Sequence, residues 1–207
     1  MSLQVRPADR IKMSVIEWLI QRCPGIIIGS EVMYGTSQRM VDLLALYEGC
    51  TYAIEIKSER DSTRRLSSQL SEYALIFDYT IVFAHSKHIS KVISLSRSKV
   101  AVFEVSDDGI VLKIPLKKNR PVKREMAYSI STSFLKKYVS LGKDRCTSSD
   151  IRARLLRGYT KDAIRQMLYD FLEWRLTDRF NLYMKEWREK SYDDLSLLSA
   201  QLKLMPI

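Results

Sequence analysis

A chain of 207 residues with 46% apolar content can bury a core of its own, which excludes a disordered segment. Its 34 Lys and Arg against 24 Asp and Glu leave a net charge of +10, which favours an anionic partner such as nucleic acid. No apolar run approaches the roughly 18 residues of a membrane span, Cys23, Cys50 and Cys146 lack disulfide or zinc spacing, and "MSLQVRPADRIKMS" has no secretory apolar stretch. A cytoplasmic chain with three buried thiols is expected.

Residues 11–22, "IKMSVIEWLIQR", place apolar side chains at 11, 15, 16, 19 and 20, the stripe of an amphipathic helix that Pro24-Gly25 ends. The period then shortens. "RMVDLLALYEGCTYAIEIKS" holds two apolar runs around Glu48-Gly49, which predicts a β-hairpin of 39–47 and 50–58. In "STRRLSSQLSEYALIF", Leu66, Leu70, Tyr73, Ala74 and Phe77 keep helical spacing, with Ser62 or Thr63 placed to cap the N-terminus. A β-rich run at 79–85, a short helix in "KHISKVISLSRS", and strands in "KVAVFEV" and "GIVLKIPL" around a turn at 107–109 complete an α/β order. At 113–124, "KIPLKKNRPVKR" carries six positive charges, two prolines and no acid. The domains predicted are an α/β core at 1–116, a basic linker at 117–124 and a helical C-terminal region at 125–207. In that region Leu155, Leu156, Ile164, Met167, Leu168, Phe171 and Leu172 read as packed core, so a helical bundle covering the sheet is expected ahead of a helix-turn-helix.

The hairpin register brings carboxylates together. With Glu48 and Gly49 as the turn, Tyr47 pairs with Cys50 and Asp42 falls opposite Glu55; a three-residue loop would put the two acids on opposite faces. In the favoured register Asp42, Glu55 and Lys57 share one face, and Val41, Leu43, Ile54 and Ile56 the other. Facing carboxylates among apolar neighbours repel and hydrate poorly, so something positive belongs between them. A divalent cation would serve, since carboxylate and carbonyl oxygens with water suit Mg²⁺; the plainer alternative is that Lys57 bridges both acids on a solvated face. Gln69 and Tyr73 lie four apart on one helix face beside Leu66 and Leu70, pointing toward the hairpin.

An Asp on one strand, Glu-x-Lys on the next and Gln-x-x-x-Tyr on the following helix resembles the ordered signature of PD-(D/E)XK nucleases, in the form of the RecB-like branch. "SEVMYGTSQRMVDLLAL" and "YAIEIKSERDSTRRLSSQLSEYALIFDYTIVFAHSKH" resemble an uncharacterised bacterial and phage family within that superfamily, over residues 26–105. The resemblance implies a restriction-endonuclease-like core, a mixed β-sheet flanked by helices in αβββαβ order, with a C-terminal all-helical extension. It also implies a nuclease that hydrolyses DNA phosphodiester bonds with Mg²⁺ or Mn²⁺.

Carried over, Asp42, Glu55 and the main-chain carbonyl of Ile56 would be metal ligands. Glu31, or else Glu17 on the first helix, would add a further ligand or hold water. Lys57 would orient the attacking water and stabilise charge on the phosphate, while Gln69 and Tyr73 would position substrate or the lysine. Val41 departs from the small residue or proline usual before the first Asp. Asp61, Arg64 and Arg65 read as capping and flanking the helix, and both arginines are candidate phosphate contacts with Lys117, Lys118, Arg120, Lys123 and Arg124. DNA is the partner expected, with RNA and a homodimer left open and no membrane. A catalytically silent nucleic-acid-binding or assembly protein is the alternative, and the complete Asp, Glu, Lys set argues against it.

Overall fold

Six strands lie side by side in sequence order in one sheet: β1 (Ile27–Tyr34), β2 (Arg39–Tyr47), β3 (Cys50–Lys57), β4 (Tyr79–His85), β5 (Val100–Ser106) and β6 (Gly109–Ile114). The computed structural model describes residues 6–35, 39–96, 99–139, 146–186 and 192–199. β1, β2 and β3 form an antiparallel meander, β3, β4 and β5 run parallel, and β6 returns antiparallel. At the β2–β3 turn Glu48 and Gly49 both have positive φ, 48° and 67°, as a two-residue type I′ hairpin demands, and Tyr47 pairs with Cys50. The parallel pairs need crossovers, which α2 (Leu66–Ile76) and α3 (Ile89–Leu95) supply on one face.

That face is covered further by α4 (Lys123–Ser129), α5 (Thr132–Leu135), α6 (Ser148–Gly158) and the first half of α7 (Lys161–Glu186), around Leu44, Ala53, Leu70, Val82, Met126 and Leu155. α1 (Pro7–Arg22) covers the other face, over Ile28, Leu43, Ile54, Ile56 and Phe83. α7 serves both cores: Leu168, Leu172 and Leu176 belong to the first, Phe180 and Tyr183 to the second. The helix therefore crosses the edge strand β1, and it does so closely, because a Cβ at Gly29 would collide with the Leu176 side chain. Covering β1 removes an open sheet edge.

Polar anchors hold the C-terminal half on the sheet. Buried Asp78 accepts from Thr51 N and Oγ1 at 3.0 and 3.1 Å and from Arg165 Nε and Nη2 at 2.6 and 3.0 Å, tying α7 to the start of β4. The basic run is laid down as well: Asn119, 5% exposed, donates its backbone N–H to Asp78 O and its amide to Phe77 O and Thr80 Oγ1.

Several expectations are corrected. α1 starts at Pro7, four residues early, because proline pre-sets the first helical turn and Asp9 pairs there with Arg6. β1 is a strand that the periodicity reading did not name, although the αβββαβ order has a place for it. α2 starts at Leu66 with Arg65 as an N-cap that makes no side-chain bond; Ser62 Oγ accepts from Arg64 N, and Asp61 Oδ2 turns back to Ser58 N and Oγ at 2.7 and 2.6 Å. The cysteines are free thiols, half-buried rather than buried. Among the described residues no helix is long and apolar enough to cross a membrane.

Candidate active site

The site begins with an irregularity in β1 and β2. On β2, Leu44 and Leu46 pack on the α2 side and Leu43 and Ala45 on the α1 side, yet Val41 joins Leu44 and Leu46 instead of Leu43. On β1 the same exchange separates Ile28 from Val32 and Tyr34. Both strands switch faces at Glu31 and Asp42, which the pairs Ser30↔Leu43 and Val32↔Val41 flank without including. Glu31 has a φ of 52°, a left-handed conformation that costs a non-glycine residue on the order of 1–3 kcal/mol. Val41 thus lies on the opposite side from the one that strict alternation assigns it.

The switch takes Asp42 out of the ladder. Pairing between β2 and β3 ends at Leu43↔Ile54, one step short of Asp42 and Glu55, and the Ile56 N–H donates instead to Asp42 Oδ2 at 2.8 Å. In a strand, the N–H and C=O of one residue point to the same neighbour, so the Ile56 carbonyl faces this opening too.

Glu55 is 1% exposed, and its charge is met by three donors. Oε1 accepts from Lys57 Nζ and from Gln69 Nε2, each at 2.8 Å, and Oε2 from the Tyr73 hydroxyl at 2.6 Å. α2 runs back along β3, which is why Gln69 and Tyr73, one turn apart, both reach it. Burial of Tyr73, with Glu55 beside it, pushes the phenol pKa far up, so the hydroxyl remains a donor. Tyr73 in turn packs edge-on against Tyr34, ring centres 5.3 Å apart.

Asp42 and Lys57 open onto a cleft of about 460 Å³, lined also by Glu31, Ile56, Lys12 and Arg60 and walled by the start of α1. Burial, and then the like charge of Glu55, push the Asp42 carboxyl up to about 6, against the Ile56 N–H, Lys57 and Lys12. A half-buried acid in this condition gains from any added positive charge. Lys12, whose Nζ donates to Ser30 Oγ at 3.2 Å, is a site residue that sequence reasoning missed. Its signal was present: it shares a helical face with Ile16 and Leu19, a charge on an apolar stripe.

Of the two upstream acids, Glu31 lines the cleft with Asp42, whereas the charge of Glu17 acts on Tyr183, raising that phenol's pKa after burial has. Among the described residues no group of three His, Cys, Asp or Glu side chains is arranged to hold a metal ion. The oxygens at the cleft, from Asp42, Glu31 and the Ile56 carbonyl, are nevertheless the hard donors that suit Mg²⁺ or Mn²⁺, with Glu55 directly behind them.

Arg64 and Arg65 are exposed at the site end of α2. The linker cations are elsewhere. Lys117, Lys118 and Arg120 flank Asn119 beside Asp78, at the β4 end paired with Tyr52, whereas Lys57 pairs with Ala84, about 16 Å along the strands. Lys123 Nζ donates to Leu156 O at 2.7 Å and Arg124 stacks over Tyr128, 5.3 Å from its ring centre. The basic run and the cleft that holds Asp42 are two surfaces.

Residues 1–199 match the family described as Bacteriophage P4 protein cII. The chain belongs to that family. Protein cII of Enterobacteria phage P4 is 30% identical over 138 residues, covering 65% of this chain and 48% of that protein. The matching region thus spans about half the length of that relative. A solved structure of a protein of unknown function from Silicibacter pomeroyi covers 75% of this chain and 94% of its own, at 14% identity and a TM-score of 0.47.

Proposed function

We propose that this member of the cII family is a metal-dependent nuclease with a restriction-endonuclease-like core of the PD-(D/E)XK type, hydrolysing phosphodiester bonds of DNA. The observation that carries the reading is the convergence of Asp42, the Ile56 carbonyl, Glu55 and Lys57 where the β2–β3 ladder ends, with Gln69 and Tyr73 fixing Glu55 from α2. Asp42, Glu55, Glu31 and the Ile56 carbonyl would hold Mg²⁺ or Mn²⁺, which supplies Lewis-acid polarisation of the phosphate and lowers the pKa of bound water.

The rest falls to the chain itself. Glu55, clamped by Gln69 and Tyr73, aims the Lys57 ammonium at the cleft, where it would orient the attacking water and stabilise charge on the phosphate oxygens. Lys12 and Arg60 would contact substrate phosphates at the cleft, and Arg64 and Arg65 just beyond it. Lys117, Lys118 and Arg120 would hold DNA outside the site.

A second reading, a nucleic-acid-binding protein that keeps the fold without cleavage, is favoured by one observation. Both oxygens of the buried Glu55 are already taken by Lys57, Gln69 and Tyr73. Incubation of linear and supercoiled DNA with Mg²⁺, Mn²⁺ or chelator, using wild type and Asp42→Asn, separates the two. Cleavage that needs both metal and Asp42 supports the nuclease; binding without cleavage supports the second reading.

A further inference from the structure

Glu31 holds a left-handed backbone, φ 52°, in the middle of a strand, and such a conformation persists only where its surroundings over-determine it. Those surroundings come from the other end of the chain. After α7, the 3-10 segment Tyr192–Leu198 leads into Ser199, which bridges in parallel to Ser30, the residue before Glu31. Ser199 is 7% exposed; its Oγ donates to Glu31 Oε2 at 3.2 Å, and its carbonyl accepts from Nη1 of the buried Arg179 at 2.8 Å. Leu195 and Leu198, both buried with α1, hold the segment down. A carboxylate accepts several bonds at once, so a hydroxyl on Oε2 is compatible with a cation on the same group.

We propose that Ser199, itself fixed by Arg179, is a positioning residue for Glu31, orienting its carboxylate toward the cleft, so that the C-terminal segment forms part of the metal-holding wall. The proposal rests on the nuclease reading of that cleft. Its logic is that of an outer partner of a metal ligand: the hydroxyl does not touch the reacting atoms, but without it Glu31 keeps its charge and loses its aim.

The test uses Mn²⁺ alone on the 207-residue chain, by calorimetry and by the rise in unfolding temperature that Mn²⁺ produces. Ser199→Ala should weaken Mn²⁺ about tenfold and shrink that rise, and Ser199→Thr should restore both. Ser199→Ala combined with Glu31→Gln should bind no worse than Glu31→Gln alone, because the hydroxyl acts through that carboxylate. Wild-type affinity in Ser199→Ala, no loss in Glu31→Gln, or additive losses in the double variant would each overturn the positioning role. Wild type that does not bind Mn²⁺, or Asp42→Asn that binds it equally well, would bring down the nuclease reading itself, and the positioning role with it.

Discussion

The Tyr73 hydroxyl donates to Glu55 at 2.6 Å across a space from which water is shut out: the tyrosine is 0% and the glutamate 1% exposed. Removing only the hydroxyl should therefore be costly. Tyr73→Phe keeps the ring and leaves Glu55 with two donors, so we expect a loss of about 1.5–3 kcal/mol, the worth of a hydrogen bond to a charged group. A lower urea midpoint at unchanged slope is the measurement; an unaltered midpoint would mean that the bond contributes nothing net.

Lys57 reaches the cleft and Glu55 at once. Lys57→Ala should lower the rate of DNA cleavage by about 10² or more while Mn²⁺ still binds, as expected for a positioned catalytic group that is not a ligand. Loss of Mn²⁺ binding in this variant would move the lysine from chemistry to architecture.

Asp42 sets a pH dependence. Its carboxyl is raised from 3.8 to about 6 in the fold, so the native state holds that proton where the unfolded chain has released it. Stability linked to Asp42 is therefore full below about pH 4 and declines as pH rises through about 6. In chelator, Asp42→Asn should be more stable than wild type above pH 6, by on the order of 2 kcal/mol, with the gap closing toward pH 4. Urea midpoints at both ends decide it, and a gap that widens toward acid would reverse the sign.

The exposed run beside Asp78 should act by charge alone. Replacing Lys117, Lys118 and Arg120 by Ala should flatten the dependence of log DNA affinity on log salt by about 3, and weaken all sequences alike. Cleavage per bound complex should stay at the wild-type rate; a fall there would place these cations at the cleft.

How far the sequence could be read depended on where its periodicity stayed regular. The hairpin was legible because Glu48-Gly49 interrupts two apolar runs and the register follows from the turn, and Gln69 and Tyr73 were legible because one helical turn separates them. β1 was not, since Gly29, Ser30 and Glu31 blur its alternation. Its change of face at Glu31 misplaced Val41 as well, because strict alternation has no term for a left-handed residue in the neighbouring strand. Lys12 lay inside the predicted helix, but the helix alone does not say that its first turns wall the cleft. The segment at 117–124 reads as a basic linker on charge and proline, and its Asn119 bonds it to the corner between α2 and β4, a contact that charge and proline do not reveal.

Gly29 lets α7 pass over β1, and Gly29→Ala should destabilise by about 1–3 kcal/mol through overpacking against Leu176. Leu176→Ala in the same chain should recover part of that loss, because the two positions share one contact. Additive losses would separate the sites.

That crossing also sets a timetable for the chain as it is made. The strand that carries Glu31 emerges from the ribosome before the helix that shields its outer edge, which is not complete until Glu186. Contacts of such long range form late, and a strand edge left bare in the meantime is prone to pair with other chains. Nascent chains halted before α7 should accordingly be those that aggregate or recruit chaperones, and the cleft should assume its final shape only once Ser199 has been added.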